Sequence, residues 1–116
     1  MHELSIAISI VDTAIRQANL AAALRVSEVE LDIGLLSGIE YESLKFALEM
    51  ASKDTILEKT LFRINRVEPV AECPECRHLY TPEGMYSHCP ECHKQGIRMI
   101  RGTELQIKSL LVEQKE

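Results

Sequence analysis

Apolar side chains at Leu4, Ile8, Val11, Ile15, Ala18 and Ala22 recur at alternating intervals of four and three, which predicts an amphipathic helix beginning near Leu4. Asp12, Arg16 and Asn19 fall away from that stripe. Further along the period shortens to two. Val29, Leu31, Ile33 and Leu35 alternate with Glu28, Glu30, Asp32 and Gly34, the signature of a half-buried strand with a charged outer face. Leu44, Ala47, Leu48 and Ala51 return to helical spacing, with Ser37 and Glu40 as candidate capping groups. Phe62 and Ile64 mark a second strand that must stop near Glu68-Pro69, because proline lacks a ladder donor and restrains its predecessor. Leu105, Ile107, Leu110 and Val112 form a third strand, and the break in alternation at Lys108-Ser109 predicts a bulge.

Between Pro69 and Gly102 the pattern dissolves. That stretch holds all four cysteines, Pro74, Pro82 and Pro90, and three histidines, with few aliphatic residues. It therefore reads as a separate module inserted into the core. No helix or strand outside it can bury an apolar face alone, so the expected fold is α+β: two helices packed on a small three-stranded sheet. The expected division is an α+β domain over 1–69 plus 102–116 and an inserted four-cysteine zinc ribbon over 70–101.

Composition narrows the function. At 116 residues, 46% apolar and 27% charged, the chain is globular in type and too short for two full domains. The run Leu4 to Val11 is far short of a bilayer span, which points to a soluble chain without a membrane role. Glu3 before that run and Asp12 after it also disagree with a secretory leader, so a cytoplasmic location is expected, with cysteines reduced and available to metal. A net charge of −5 leaves no surplus of Lys and Arg to displace phosphate counterions, so nucleic acid is not an expected partner. Within 70–101, Glu72, Glu75, Glu83 and Glu91 balance Arg77, Lys94, Arg98 and Arg101, and the same conclusion holds locally.

Cys73-Pro-Glu-Cys76 and Cys89-Pro-Glu-Cys92, separated by twelve residues, form two matched knuckles that each offer two sulfurs to one tetrahedral ion. Pro82 and Gly84 are expected to supply the intervening turn. A redox dithiol explains one such pair but not two. About thirty residues with few apolar side chains must offset roughly 1 to 2 kcal/mol of backbone entropy each. A four-thiolate zinc can supply on the order of 10 to 16 kcal/mol of apparent binding energy. With no open coordination position, such a zinc is structural and does not activate water. His78 and His93 flank the knuckles, close enough to hydrogen-bond a sulfur or to compete as ligands; the hydrogen-bonding role is favoured.

The start Met1-His2-Glu3 combines an amine, a backbone amide and an imidazole that can close adjoining chelate rings, a nitrogen set suited to planar Ni(II) or Cu(II). One planar position stays open for the Glu3 amide, another histidine or a partner's ligand. A helix beginning just after it leaves those first amides outside the hydrogen-bond ladder. Taken alone, however, a histidine at position 2 is better explained as an ordinary surface residue.

The combination alters that balance. MHELS at 1–5, VELDIGLLSGIE at 29–40, the paired CPEC knuckles and GTELQIKSLLVE at 102–113 together resemble the HypA/HybF family of hydrogenase nickel-incorporation proteins, over essentially the whole chain. The resemblance implies a nickel metallochaperone that holds Ni(II) as cargo and helps insert it into the large subunit of nickel-iron hydrogenase with a HypB-like GTPase. Urease maturation proteins are further candidate partners in relatives. It places the nickel motif on Met1, His2 and Glu3 and the zinc ligands on Cys73, Cys76, Cys89 and Cys92. It also links His78 and His93 to pH-sensitive rearrangement of the zinc site. The competing expectation is a zinc-ribbon interaction module that delivers no nickel. No phosphate-cradling glycine loop or nucleophile-base signature is present, so the chain is not expected to be an enzyme.

Overall fold

In the computed structural model, residues 3–114 are described. The elements in order are α1 (Glu3–Leu20), β1 (Ala23–Gly34), α2 (Tyr41–Ser52), β2 (Leu61–Val67), β3 (Val70–Glu72), β4 (Leu79–Tyr80), β5 (Arg98–Arg101) and β6 (Leu105–Gln114). They make two three-stranded sheets, ordered β2-β1-β6 and β4-β3-β5, so the architecture is α+β with a cysteine-rich module between β2 and β6. The chain divides into two compact units, one of residues 1–32, 39–65 and 106–116 and the other of residues 33–38 and 66–105.

In the first unit α1 packs against α2. Its buried side chains are Ala7, Ile10, Val11, Ala14 and Ala18 of α1, Val26, Val29 and Leu31 of β1, Leu44, Ala47 and Leu48 of α2, and Leu57. Each fully buried Leu or Val stabilises this unit by roughly 1.5 to 3 kcal/mol. The face of α1 differs from the expected stripe. Val11 and Ala18 are shared, but Leu4 and Ile8 are exposed, and alanines 7 and 14 take the interior instead. Small side chains let two helices approach closely, and that geometric gain outweighs the larger hydrophobicity of Leu4 and Ile8. Ala22 is also not helical: the helix ends through Ala21 N–H to Gln17 O at 3.1 Å, and Ala22 turns the chain at φ 54°.

Helix α2 starts where its cap dictates. Glu40 is extended at φ −91° and ψ 119°, its carboxylate accepts from Ser43 N at 2.6 Å, and its carbonyl accepts from Leu44 N at 3.0 Å. Hydrogen bonding from Ser43 holds the Glu40 carboxyl below its usual range. The outer face of β1 is satisfied by its neighbours. Asn65 Nδ2 donates to Glu30 Oε2 at 2.7 Å and Asp32 Oδ1 at 3.0 Å, Ser109 Oγ donates to Glu30 Oε1 at 3.0 Å, and Arg63 pairs with Glu28. In β6, Ile107, Leu110 and Val112 are half-buried while Lys108 and Ser109 are both exposed, the interruption the sequence predicts.

The second unit is organised around the central strand β3. Ala71 sits opposite Tyr80 of β4 and Met99 of β5, Glu72 sits opposite Leu79 and Arg98, and Glu72 pairs with Arg98 across the ladder. Leu35, expected as the last inward position of β1, instead lies beyond the strand and is 46% exposed. Its segment is pinned by the backbone: Gly34 N donates to Glu104 O (2.8 Å), Leu35 N to Val67 O (2.9 Å) and Leu36 N to Gly102 O (2.8 Å). So close is this crossing that a Cβ on Gly34 would lie 2.0 Å from Gly102 O, and one on Gly102 (φ 120°) 2.6 Å from Pro69 Cα.

Candidate metal centre

Each knuckle is built by the same local rule. In the first, Cys73 N donates to His78 O (2.9 Å) and Arg77 N returns to Cys73 O (2.9 Å); in the second, Cys89 N donates to Lys94 O (3.1 Å) and His93 N to Cys89 O (2.9 Å). Closing so tight a turn forces the residue after the second cysteine into the left-handed region, and Arg77 (φ 67°) and His93 (φ 63°) occupy it. A non-glycine residue there costs about 1 to 2 kcal/mol. The turns in return aim backbone N–H groups at sulfur: Cys76 N lies 3.5 Å from Cys73 Sγ, and Glu91 N and Cys92 N lie 3.4 and 3.5 Å from Cys89 Sγ.

The two turns bring Cys73, Cys76, Cys89 and Cys92 together, with all four sulfurs within 4.8 Å of one another. Cys73 Sγ is 3.5 Å from Cys92 Sγ, and Cys76 Sγ is 3.6 Å from Cys89 Sγ. Neither distance approaches the roughly 2.05 Å of a disulfide. A tetrahedron of sulfurs about 2.3 Å from a central zinc has edges of about 3.8 Å, so the observed spacing suits such an ion with little adjustment. Cys73 and Cys89 are buried, Cys92 is half-buried and Cys76 is exposed, which sets one corner of the cluster at the surface.

Protonation behaviour agrees with a cation-seeking site. The Cys76 N–H pulls the Cys73 thiol down to about 6, against an ordinary 9. Cys76 is held down by the His78 N–H, but desolvation and the sulfurs of Cys89, Cys73 and Cys92 win and push it up to about 12. Cys92 moves up as well: the Lys94 N–H lowers it, while desolvation and the sulfurs of Cys73 and Cys89 raise it by more. Four negative sulfurs this close repel one another, and a dication bound among them would offset that repulsion. Tyr80, its hydroxyl buried, is shifted upward by desolvation and then by the same four cysteines.

His78 and His93 stand outside the sulfur cluster. The His78 ring lies parallel to the Tyr80 ring, with centroids 6.2 Å apart and an interplanar angle of 7°, and His93 is exposed at its strained turn. Among the described residues, the four cysteines are the only group of three or more His, Cys, Asp or Glu placed to share one ion. The chain bends at Glu83 and Gly84, in the loop where the sequence places the turn. Gly84 has no positive φ and open space where a Cβ would sit; Ser87 Oγ shapes the loop, accepting from Glu83 N (2.9 Å) and Gly84 N (3.1 Å) and donating to Gly84 O (2.9 Å).

Of the expected nickel motif, Met1 and His2 lie outside the described residues. Glu3 opens α1, and its Oε2 accepts from Glu40 N at 3.2 Å, tying it to the cap of α2. That second use of Glu40 leaves no trace in the sequence, where only its capping role is legible. Tyr80 is likewise missed, although an aromatic between two knuckles is a usable hint.

Comparison with known proteins gives a consistent result. The model of the family described as "Hydrogenase/urease nickel incorporation, metallochaperone, hypA" matches residues 1–112. The hydrogenase maturation factor HypA of Pelodictyon phaeoclathratiforme is 38% identical over 115 residues, covering 99% of this chain and 98% of that one. That of Chlorobium limicola is 40% identical over 114 residues, covering 98% of each. The solution structure of the Ni metallochaperone HypA from Helicobacter pylori has the same fold, with a TM-score of 0.75 at 23% identity, covering 99% of this chain and 100% of that one.

Proposed function

This chain belongs to the HypA family of hydrogenase and urease nickel-incorporation metallochaperones, and we propose that it carries Ni(II) on Met1, His2 and Glu3. It passes the ion toward the large subunit of a nickel-iron hydrogenase with the help of a HypB-like GTPase; urease maturation proteins are alternative recipients. Cys73, Cys76, Cys89 and Cys92 hold a structural zinc that folds residues 70–101, while residues 1–69 and 102–116 serve nickel. The chain catalyses no bond making of its own and acts in the cytoplasm. Among the described residues no helix is long and apolar enough to cross a membrane.

The observation that carries the nickel assignment is the start of α1 at Glu3. The first amides of a helix have no intrahelical acceptor, so a metal can displace the proton of a leading amide at no cost to the ladder. Glu3 is meanwhile fixed through its bond to Glu40 N, which steadies the root of the motif. Imidazole must be neutral to ligate and titrates near ~6.5, so acidification releases nickel. The test is a Ni(II) titration of tag-free protein, followed by planar-nickel absorption. His2→Ala and a blocked amine are both expected to abolish tight binding; unchanged affinity in either overturns the assignment.

A further inference from the structure

Four large apolar side chains beside the start of α1 remain in solvent. Leu4 and Ile8 lie one turn apart on α1 and are 57% and 47% exposed; Phe46 and Met50 lie one turn apart on α2 and are 65% and 46% exposed. Leu4, Phe46, Ala47 and Met50 line a concavity of about 350 Å3, with Glu3 and Ser43 as its polar lining residues. Single exposed leucines need no explanation, but a contiguous apolar groove does. The core of this unit has no claim on these residues, because the alanines of α1 and Leu44, Ala47 and Leu48 of α2 already fill it.

Charge at the rim selects the occupant. Glu42 sits one turn before Phe46 and Glu49 three residues after it, so both share its side of the helix, and both are exposed. Glu3 lines the concavity itself, and Asp12 continues the Leu4–Ile8 line by one turn. Against these four carboxylates stand Lys45, whose Nζ already lies 4.0 Å from Glu42, Lys53 at the end of α2, and Arg16 at the far end of the α1 line, one turn beyond Asp12. A second copy of this chain would bring the same acidic rim to itself, and an anionic lipid surface would be repelled as well.

We propose that this groove docks an amphipathic helical segment, apolar along one stripe and flanked by Lys or Arg, from the protein that exchanges nickel with this chain. Its apolar side chains enter between α1 and α2 while its basic residues meet Glu3, Glu42 and Glu49, the helix-in-groove mode of recognition. The surface rests on the nickel-delivery reading for its purpose: Glu3 belongs both to the groove and to the proposed cargo tripeptide.

The probe is a labelled helical peptide of about 15 residues with a leucine stripe and arginine flanks, compared by fluorescence anisotropy with a twin carrying glutamate flanks. The full chain is expected to bind the basic peptide at least about tenfold more tightly than the acidic one, and Phe46→Asp to weaken that binding by at least about tenfold. Phe46 is exposed, so the fold should survive; Glu42→Lys with Glu49→Lys supplies an independent arm and should invert the preference. Equal binding of both peptides, or of the parent and Phe46→Asp, overturns the proposal. So does a parent dimer that Phe46→Asp dissociates in sedimentation, or parent binding to anionic vesicles that Phe46→Asp abolishes. Nickel titration separates the two readings: Phe46→Asp should keep nickel and lose the peptide, and His2→Ala the reverse. If the parent takes no nickel yet discriminates the peptides, delivery fails and the docking surface stands.

Discussion

The two units of this chain reach order by different chemistry. In the first, twelve buried side chains from α1, β1, α2 and Leu57 remove carbon from water. Within the second, in residues 70–101, the buried apolar positions are Ala71, Cys73, Pro82 and Cys89, and two of those four belong to the sulfur cluster. On the proposed zinc site, apolar area holds the first unit and an ion gripped by four sulfurs orders residues 70–101. Where chain is too sparse to build a core, a single ion substitutes for one.

The sharpest way to break this contrast is to remove the ion. Chelation, or Cys89→Ala, is expected to withdraw on the order of 10 to 16 kcal/mol of apparent folding energy from the ribbon alone. Hydrogen exchange should then show amides of 70–101 losing protection while α1, α2 and β1 keep theirs; retained protection in the ribbon refutes the division. The reverse experiment is Leu31→Ala, which opens a cavity in the apolar unit and should cost about 2 to 5 kcal/mol in urea unfolding, with bound zinc unchanged. A smaller effect concerns the outer face of β1. Asn65, then Ser109, then Lys108 and Arg63 hold the Glu30 carboxyl below its ordinary 4.5. A depressed folded value means stability that is fully present above 4.5 and lost as pH falls through the lowered value. The melting temperature of Glu30→Gln should therefore sit below that of the parent at neutral pH, with the gap closing in acid; a gap that is constant with pH removes Glu30 from this role.

The same contrast explains what was legible from residues alone. Strand alternation at Val29, Leu31 and Ile33, the Glu40 cap and the interruption at Lys108-Ser109 are local, and each is visible because burial and capping act over a few residues. The four cysteines are legible for a stronger reason, since tetrahedral ligation dictates their spacing directly. The inward face of α1 was not. Its orientation depends on how closely α2 approaches, a property of two distant segments, and alanines 7 and 14 carry little signal beside Leu4 and Ile8. The turn at Gly84 is legible, but the hydroxyl of Ser87 that ties it together is not, since a serine in a polar loop carries no signal of its own. The bond between Glu3 and Glu40 N joins residues thirty-seven positions apart, and nothing near either announces it.

The chain departs for the ribbon just after Pro69 and comes back through Gly102, and a methyl group at Gly102 would collide with Pro69 itself. Exit and re-entry thus share one narrow doorway. Anything strung between them begins and ends at the same point, so its length and content can change without stretching the strands on either side. Grafts of other metal-folding hairpins at this position are therefore expected to leave the α1–α2 unit folded, as read by hydrogen exchange, so long as Gly34 and Gly102 stay bare.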